Sequence, residues 1–251
     1  MTQPLRLGLL SAMPEEIGSA LSHLKNLSCS EHGDLRVHRG SWGDTVRLTL
    51  AWSGWGKVSA ARAATRLLAS EPSIDLLIFT GVAGAADSAL SQWDVVLADA
   101  VVQHDMDARP LFPRFTLPAL KQDRLQPQPA WFNWAKTALL EAHSAGDLDG
   151  FARPSSGLIA TGDRFIGDPA VLQALLDDLP DLRAVEMEGA AVAQVAEQEG
   201  IPWLVLRVIS DGADAAAAQS FESFVKDYEK QAWRLIEALL QRCGDAPQQF
   251  T

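Results

Sequence analysis

Glu186 and Glu188 sit inside the apolar run Ala184-Val185-Glu186-Met187-Glu188-Gly189, and this placement constrains the chain more than any other feature. An unpaired charge is expensive to bury, so two carboxylates in strand-like sequence need partners or a task. On a strand they alternate with Val185 and Met187, and both face one side. A second run, Trp203-Leu204-Val205-Leu206-Arg207-Val208-Ile209-Ser210-Asp211, reads as a buried parallel strand with its acid at the carboxyl end. Arg207 within it is a guanidinium that demands a buried partner. Ligands of open α/β sheets bind outside the carboxyl ends of the strands, where this pattern puts Asp211. The plainer alternative makes Glu186 and Asp211 helix caps or surface ends.

With 47% hydrophobic residues among 251, the chain can bury one large core. No window approaches the roughly 18 uninterrupted apolar residues of a membrane span. The first residues, Met1 to Arg6, lack the apolar core of a signal peptide. Cys29 and Cys243 lie far apart outside any motif, so neither a disulfide framework nor a zinc site is expected, and a reducing cytoplasm fits. A net charge of −11 argues against nucleic acid or an anionic membrane as partner. It leaves room for a small neutral or zwitterionic ligand. His104-Asp105 has no second histidine at metal-ligand spacing and no activated serine motif, so it reads as structural or loop-positioning. No metal or cofactor is expected. Trp52, Trp55 and Trp93 fall near the loops of interest, although packing is the ordinary use of each.

Strands are expected over Leu5 to Ser11, Leu35 to Arg39, Thr45 to Ala51, Ile74 to Thr80, Val95 to Val102 and Leu158 to Thr161. Helices are expected from Pro14 to about Leu24, then over 60–68, 131–143, 169–176 and 190–199, with one long terminal helix from Phe221 to Arg242. The segment from Gln103 to Gln128 has no period and is long enough for a functional loop or lid. Residues 244–251 read as a polar, mobile tail. The alternation predicts one α/β domain over 1–251, in three α/β/α layers around a central mixed sheet.

Six segments appear in order: Ser11-Ala12-Met13-Pro14-Glu15-Glu16, Ser53-Gly54-Trp55-Gly56-Lys57-Val58, Thr80-Gly81-Val82-Ala83-Gly84, Gly162-Asp163-Arg164-Phe165-Ile166, Val185-Glu186-Met187-Glu188 and Ile209-Ser210-Asp211-Gly212-Ala213-Asp214. The series resembles the nucleoside phosphorylase and nucleosidase superfamily, and within it the 5′-methylthioadenosine/S-adenosylhomocysteine nucleosidases, over about Leu7 to Tyr228. The resemblance implies hydrolysis of an N-glycosidic bond to adenine. Asp211, held by Ser210, would be the acid at adenine N7, its pKa raised by burial. Glu188 would accept the ribose hydroxyls and favour an oxocarbenium-like transition state. Glu16 would orient and deprotonate water, with Arg207 nearby. Phe165 would stack on the base, the Ile166 backbone would read its edge, and Met187 would pack beneath the sugar. Met13, Trp55 and Phe221 would line the 5′-substituent pocket, and Glu186 and Val82 complete the expected site.

The glycine loop lacks the arginine and serine of a phosphate cradle, and Glu15 and Glu16 would repel phosphate, so water is the better nucleophile. Two departures stand out. Val82 replaces the serine or threonine of many nucleosidases, and the Arg109 to Phe115 loop differs from the family's pattern, leaving the 5′-substituent open. The alternatives are a purine nucleoside phosphorylase, a hydrolase of another modified nucleoside, or a nucleoside-binding protein with weak turnover. The resemblance also implies a homodimer, since Phe112, Phe115 and Leu117 would form an apolar patch on a monomer.

Overall fold

The computed structural model describes residues 3–247, so the end of the expected mobile tail, from 248 onward, lies outside the described residues. The first half builds β1 (Leu5–Ser11), β2 (Lys25–His32), β3 (Leu35–Trp42), β4 (Val46–Trp52) and α1 (Lys57–Ser70). Next come β5 (Leu76–Ala85), β6 (Val95–Gln103), the two-residue β7 (Arg124–Leu125) and α2 (Pro129–Ala145). The second half alternates β8 (Ser155–Thr161), α3 (Pro169–Asp178), β9 (Leu182–Glu186), α4 (Gly189–Glu199) and β10 (Trp203–Asp211). Helices α5 (Ala217–Tyr228) and α6 (Ala232–Leu240) follow.

The strands form one mixed sheet in the order β10-β6-β8-β9-β5-β1-β4-β3-β2. β10 also pairs with β5, in parallel, so five strands close into a ring and four extend from it as an open wing. β5 makes the closure possible. Its ten residues are all buried, and they reach β1 and β10 along its length and β9 at its end, where Gly84 faces Val185. That crossing sets the end of β5 beside Glu186. Helices cover two faces: α2, α5 and α6 pack over Trp131, Leu139 and Ile236, and α1 and α4 over Ala64, Leu67 and Val192. The expected mixed-sheet α/β fold is present, and its partial closure adds to it.

Two expected helices differ. Pro14 to Leu24 forms short 3-10 turns at Pro14–Glu16 and Ala20–His23. Gly18 between them has φ +59°, outside the helical region, and a Cβ there would strike the Glu229 carbonyl oxygen. The terminal helix breaks at Glu229–Gln231, where Gln231 N–H bonds to the Tyr228 carbonyl at 2.8 Å in place of an i−4 partner. β2 was not anticipated, because its mostly exposed polar residues form no apolar run.

The Gln103 to Gln128 segment is irregular apart from β7 and a Leu117–Gln122 bridge. The exposed patch expected there is corrected in part. Phe115 and Leu117 are 9% and 3% exposed and pack within their own chain, whereas Leu111 is 84% exposed. No helix among the described residues is long and apolar enough to cross a membrane.

Candidate active site

Arg207 organises the site from behind. It is fully buried, its guanidinium 4.3 Å over the Phe79 ring, ion-paired to Glu186 and 3.7 Å from Glu188. Burial works against its charge, but Glu186, Glu16 and Glu188 more than offset that and raise its pKa. The expected alternation of Glu186 and Glu188 along one strand is corrected. β9 ends at Glu186, and Glu188 stands at the N-cap position of α4. The carboxylates converge because the chain turns into a helix between them. Glu186 accepts the Gly189 N–H at 2.7 Å and the Glu188 N–H at 3.1 Å, and it also takes the Thr161 hydroxyl. The plain helix-cap role of Glu186 is therefore real, and it coexists with the ion pair.

Glu188 is buried, and one of its oxygens accepts the Gly56 N–H at 2.8 Å. Burial first, then the neighbouring Glu186, pushes its pKa up to about 8. Glu16 is 3% exposed and held by backbone alone: Oε2 accepts from Ala12 at 2.8 Å and Met13 at 3.0 Å, and Oε1 from Val82 at 2.9 Å. Its pKa is raised, with burial outweighing Arg207 and these donors. Val82 lacks a hydroxyl, yet its N–H still fixes Glu16. Gly81, at φ +155°, carries the crowding, since a Cβ there would clash with both Glu16 Oε1 and Arg207 Nη1.

Asp211 is 5% exposed at the end of β10. It accepts the Ser210 hydroxyl at 2.7 Å and the Ala213 N–H at 2.9 Å. Burial raises its pKa in spite of both donors. Phe165 lies 6.1 Å from Phe221, edge-on, and Phe221 lies 6.0 Å from Trp55, also edge-on, so three aromatics form one wall. Ile166 is buried, and neither its N–H nor its carbonyl has a partner among the described residues. All these groups border one cleft, together with Met13 and Met187. Of the expected site residues, Arg207 alone does not line it.

The sequence profile of the phosphorylase superfamily matches residues 6–241. A 5′-methylthioadenosine/S-adenosylhomocysteine nucleosidase of Chromohalobacter salexigens is 33% identical over 242 residues, covering 96% of this chain and 99% of that one. The chain belongs to this nucleosidase family. The nucleosidase of Neisseria meningitidis, solved with methylthio-immucillin-A, superposes with a TM-score of 0.85 at 29% identity, covering 94% of this chain and 98% of that one. A futalosine hydrolase of Helicobacter pylori also gives a TM-score of 0.85, at 28% identity over 94% and 98% of the two chains.

Sequence reasoning missed the ties that hold this nucleosidase cleft together. Lys57 Nζ pairs with Asp105 at 2.6 Å and bonds to Gln103 at 3.2 Å. Asp105 accepts the Asp163 N–H at 2.9 Å, and Asp163 accepts the Lys57 N–H at 2.8 Å. This ring of contacts fixes the loop whose Gly56 N–H meets Glu188. The only available signal was three short acid- or lysine-bearing segments, two of them, at Lys57 and Asp163, beside a glycine. Gln92, which donates to the Ser210 carbonyl at 2.7 Å, gave no signal at all.

The raised carboxyl pKa values carry a stability consequence. A carboxyl whose folded pKa is raised favours folding at low pH and surrenders that stability as pH climbs through the folded value. For Glu188 the window runs from the ordinary 4.5 to about 8, and the raised Glu16 and Asp211 act with the same sign. The thermal midpoint of the ligand-free protein should therefore fall between about pH 5 and about pH 9. Glu188→Gln keeps an acceptor for Gly56 but cannot ionise, and should flatten the fall. An unchanged slope in that variant would remove Glu188 as the cause.

Proposed function

We propose that this chain hydrolyses the N-glycosidic bond of 5′-thio-substituted adenosines, methylthioadenosine and S-adenosylhomocysteine, to adenine and the thioribose. The observation that carries this reading is the meeting of three buried acids in one cleft, each with a raised pKa and each held by backbone N–H donors. Asp211 gives its proton to adenine N7, so the base leaves as a neutral species. Glu188, in its carboxylate form, accepts the ribose hydroxyls and stabilises the oxocarbenium character. Glu16 Oε1 retains a lone pair beyond its Val82 bond and takes the proton of the attacking water. Oxygen bonds to C1′ as the C1′–N9 bond breaks, and the proton lost by Asp211 is balanced by the one gained at Glu16. Phe165 and the free Ile166 backbone receive the base, and Trp55, Phe221 and Met13 receive the 5′-group.

Water is favoured over phosphate because Glu16 sits hard against Gly81, and the single cation lining the cleft, Arg164, is exposed on a loop. Chromatography of products from methylthioadenosine, S-adenosylhomocysteine, adenosine and inosine tests the reading. Adenine and free thioribose should form without phosphate, and a sugar 1-phosphate dependent on added phosphate would overturn it. A homodimer closing over the mouth is part of the proposal. The support is exposed Leu111, Val58 and Trp55, at 84%, 80% and 56%. An active monomer at micromolar concentration in sedimentation equilibrium would sink it. The unpaired Cys29 and Cys243 suit a reducing cytoplasm.

A further inference from the structure

Arg164 is exposed on the loop after β8 and borders the cleft next to Phe165. The carboxylates flanking this region in the chain are already engaged. Asp163 accepts the Lys57 N–H at 2.8 Å, Asp168 the Ala170 N–H at 2.9 Å, and Asp214 the Ala216 N–H at 2.9 Å. Two other loop arginines are paired, Arg109 to Asp107 and Arg114 to Asp178. Arg164 has no hydrogen-bond or ion-pair partner among the described residues.

The setting gives that free guanidinium a meaning. Charged side chains bordering the cleft are Glu16, Glu186, Glu188, Asp211 and Arg164. Four acids thus face one cation, in a chain of net charge −11. Glu186 is paired with Arg207 and the other three acids have raised pKa values, so Arg164 is the unengaged charge that an anionic group on a substrate would meet. The position is also defined. Asp163 is bonded to Lys57 N–H, and its Oδ1 lies 3.0 Å from where a Cβ would stand on Gly56. Arg164, the next residue, lines the cleft together with Trp55.

We infer that Arg164 determines specificity by binding a carboxylate carried on the 5′-substituent, through the paired N–H groups that match a carboxylate's two oxygens. This rests on the reading of the chain as a 5′-thioadenosine nucleosidase. Methylthioadenosine ends in an uncharged methyl and gains nothing from Arg164. S-adenosylhomocysteine extends past the sulfur to an amino acid, and an aromatic acid at the same place would offer the same oxygens.

The test compares each acid with an uncharged counterpart in the full-length enzyme: S-adenosylhomocysteine with its carboxamide, and 5′-(4-carboxyphenylthio)adenosine with 5′-phenylthioadenosine. In Arg164→Gln the ratio of kcat/KM, acid over counterpart, should fall about tenfold, through KM. Arg164→Lys should recover part of it. Added salt should erode the ratio in the wild type and leave Arg164→Gln unmoved. A fall in the homocysteine pair alone supports an amino-acid carboxylate, and a fall in the aryl pair alone supports an aromatic one. A ratio unchanged in both pairs overturns the inference while wild-type turnover stands. A wild type that cleaves none of the four compounds overturns the nucleosidase reading, and this inference with it.

Discussion

Asp211→Asn should lower turnover of methylthioadenosine by about 100-fold or more, the usual scale for loss of a general acid, with much less effect on binding. The side chain keeps its shape, and Asn can still accept the Ala213 N–H that Asp211 accepts at 2.9 Å. What disappears is a proton that burial holds on the carboxyl above its ordinary range. The discriminating measurement uses a riboside whose leaving group departs without protonation, such as 4-nitrophenol. On that substrate the variant should keep most of its activity. Equal losses on both substrates would point to damage to the cleft rather than loss of an acid.

Arg207→Met should have the largest effect on stability. The guanidinium is wholly enclosed, paired with Glu186 and close to Glu188 and Glu16. Removing one partner of a buried ion pair typically costs about 3–5 kcal/mol, equivalent to roughly 10–15 °C in Tm for a chain of this size. The loss should shrink toward acid pH, where the abandoned carboxylates take up protons. Adding Glu186→Gln to Arg207→Met should recover part of it. A small loss, or one indifferent to pH, would mean that the carboxylates do not depend on Arg207 for their charge.

Much of this architecture was legible in the residues. Apolar runs such as Trp203 to Ser210 announce buried strands, and Pro14 marks where the chain turns after β1, whereas Gly81 and Gly84, read as a loop, lie inside β5. Acids that have no business in apolar sequence, Glu186 and Glu188, announced the cleft. What the residues concealed has physical causes. β2 is an edge strand of polar residues, stabilised by β3 rather than by its own pattern. Ring closure depends on how far β5 reaches, a property of pairing partners and not of any local period. Glu188 meets Gly56 across 132 positions and Asp163 meets Asp105 across 58, and neither bond leaves a trace in local spacing. The Glu186–Glu188 pair was found for a partly wrong reason, because side-chain alternation predicted a shared face that a helix start provides instead.

β5 belongs to the closed ring and to the open wing at once, pairing with β1, β9 and β10. It is the seam of the molecule, the strand through which the ring is joined to the wing. The amides of β5, buried and paired on both sides, should therefore fall in the slowest-exchanging class in a native-state exchange measurement. The chemistry is fastened to that seam through Gly81 and Val82. Trp55 and Arg164, proposed to meet the variable end of a substrate, stand instead on loops. New substrate preferences can arise in those loops while the separations among the acids stay fixed.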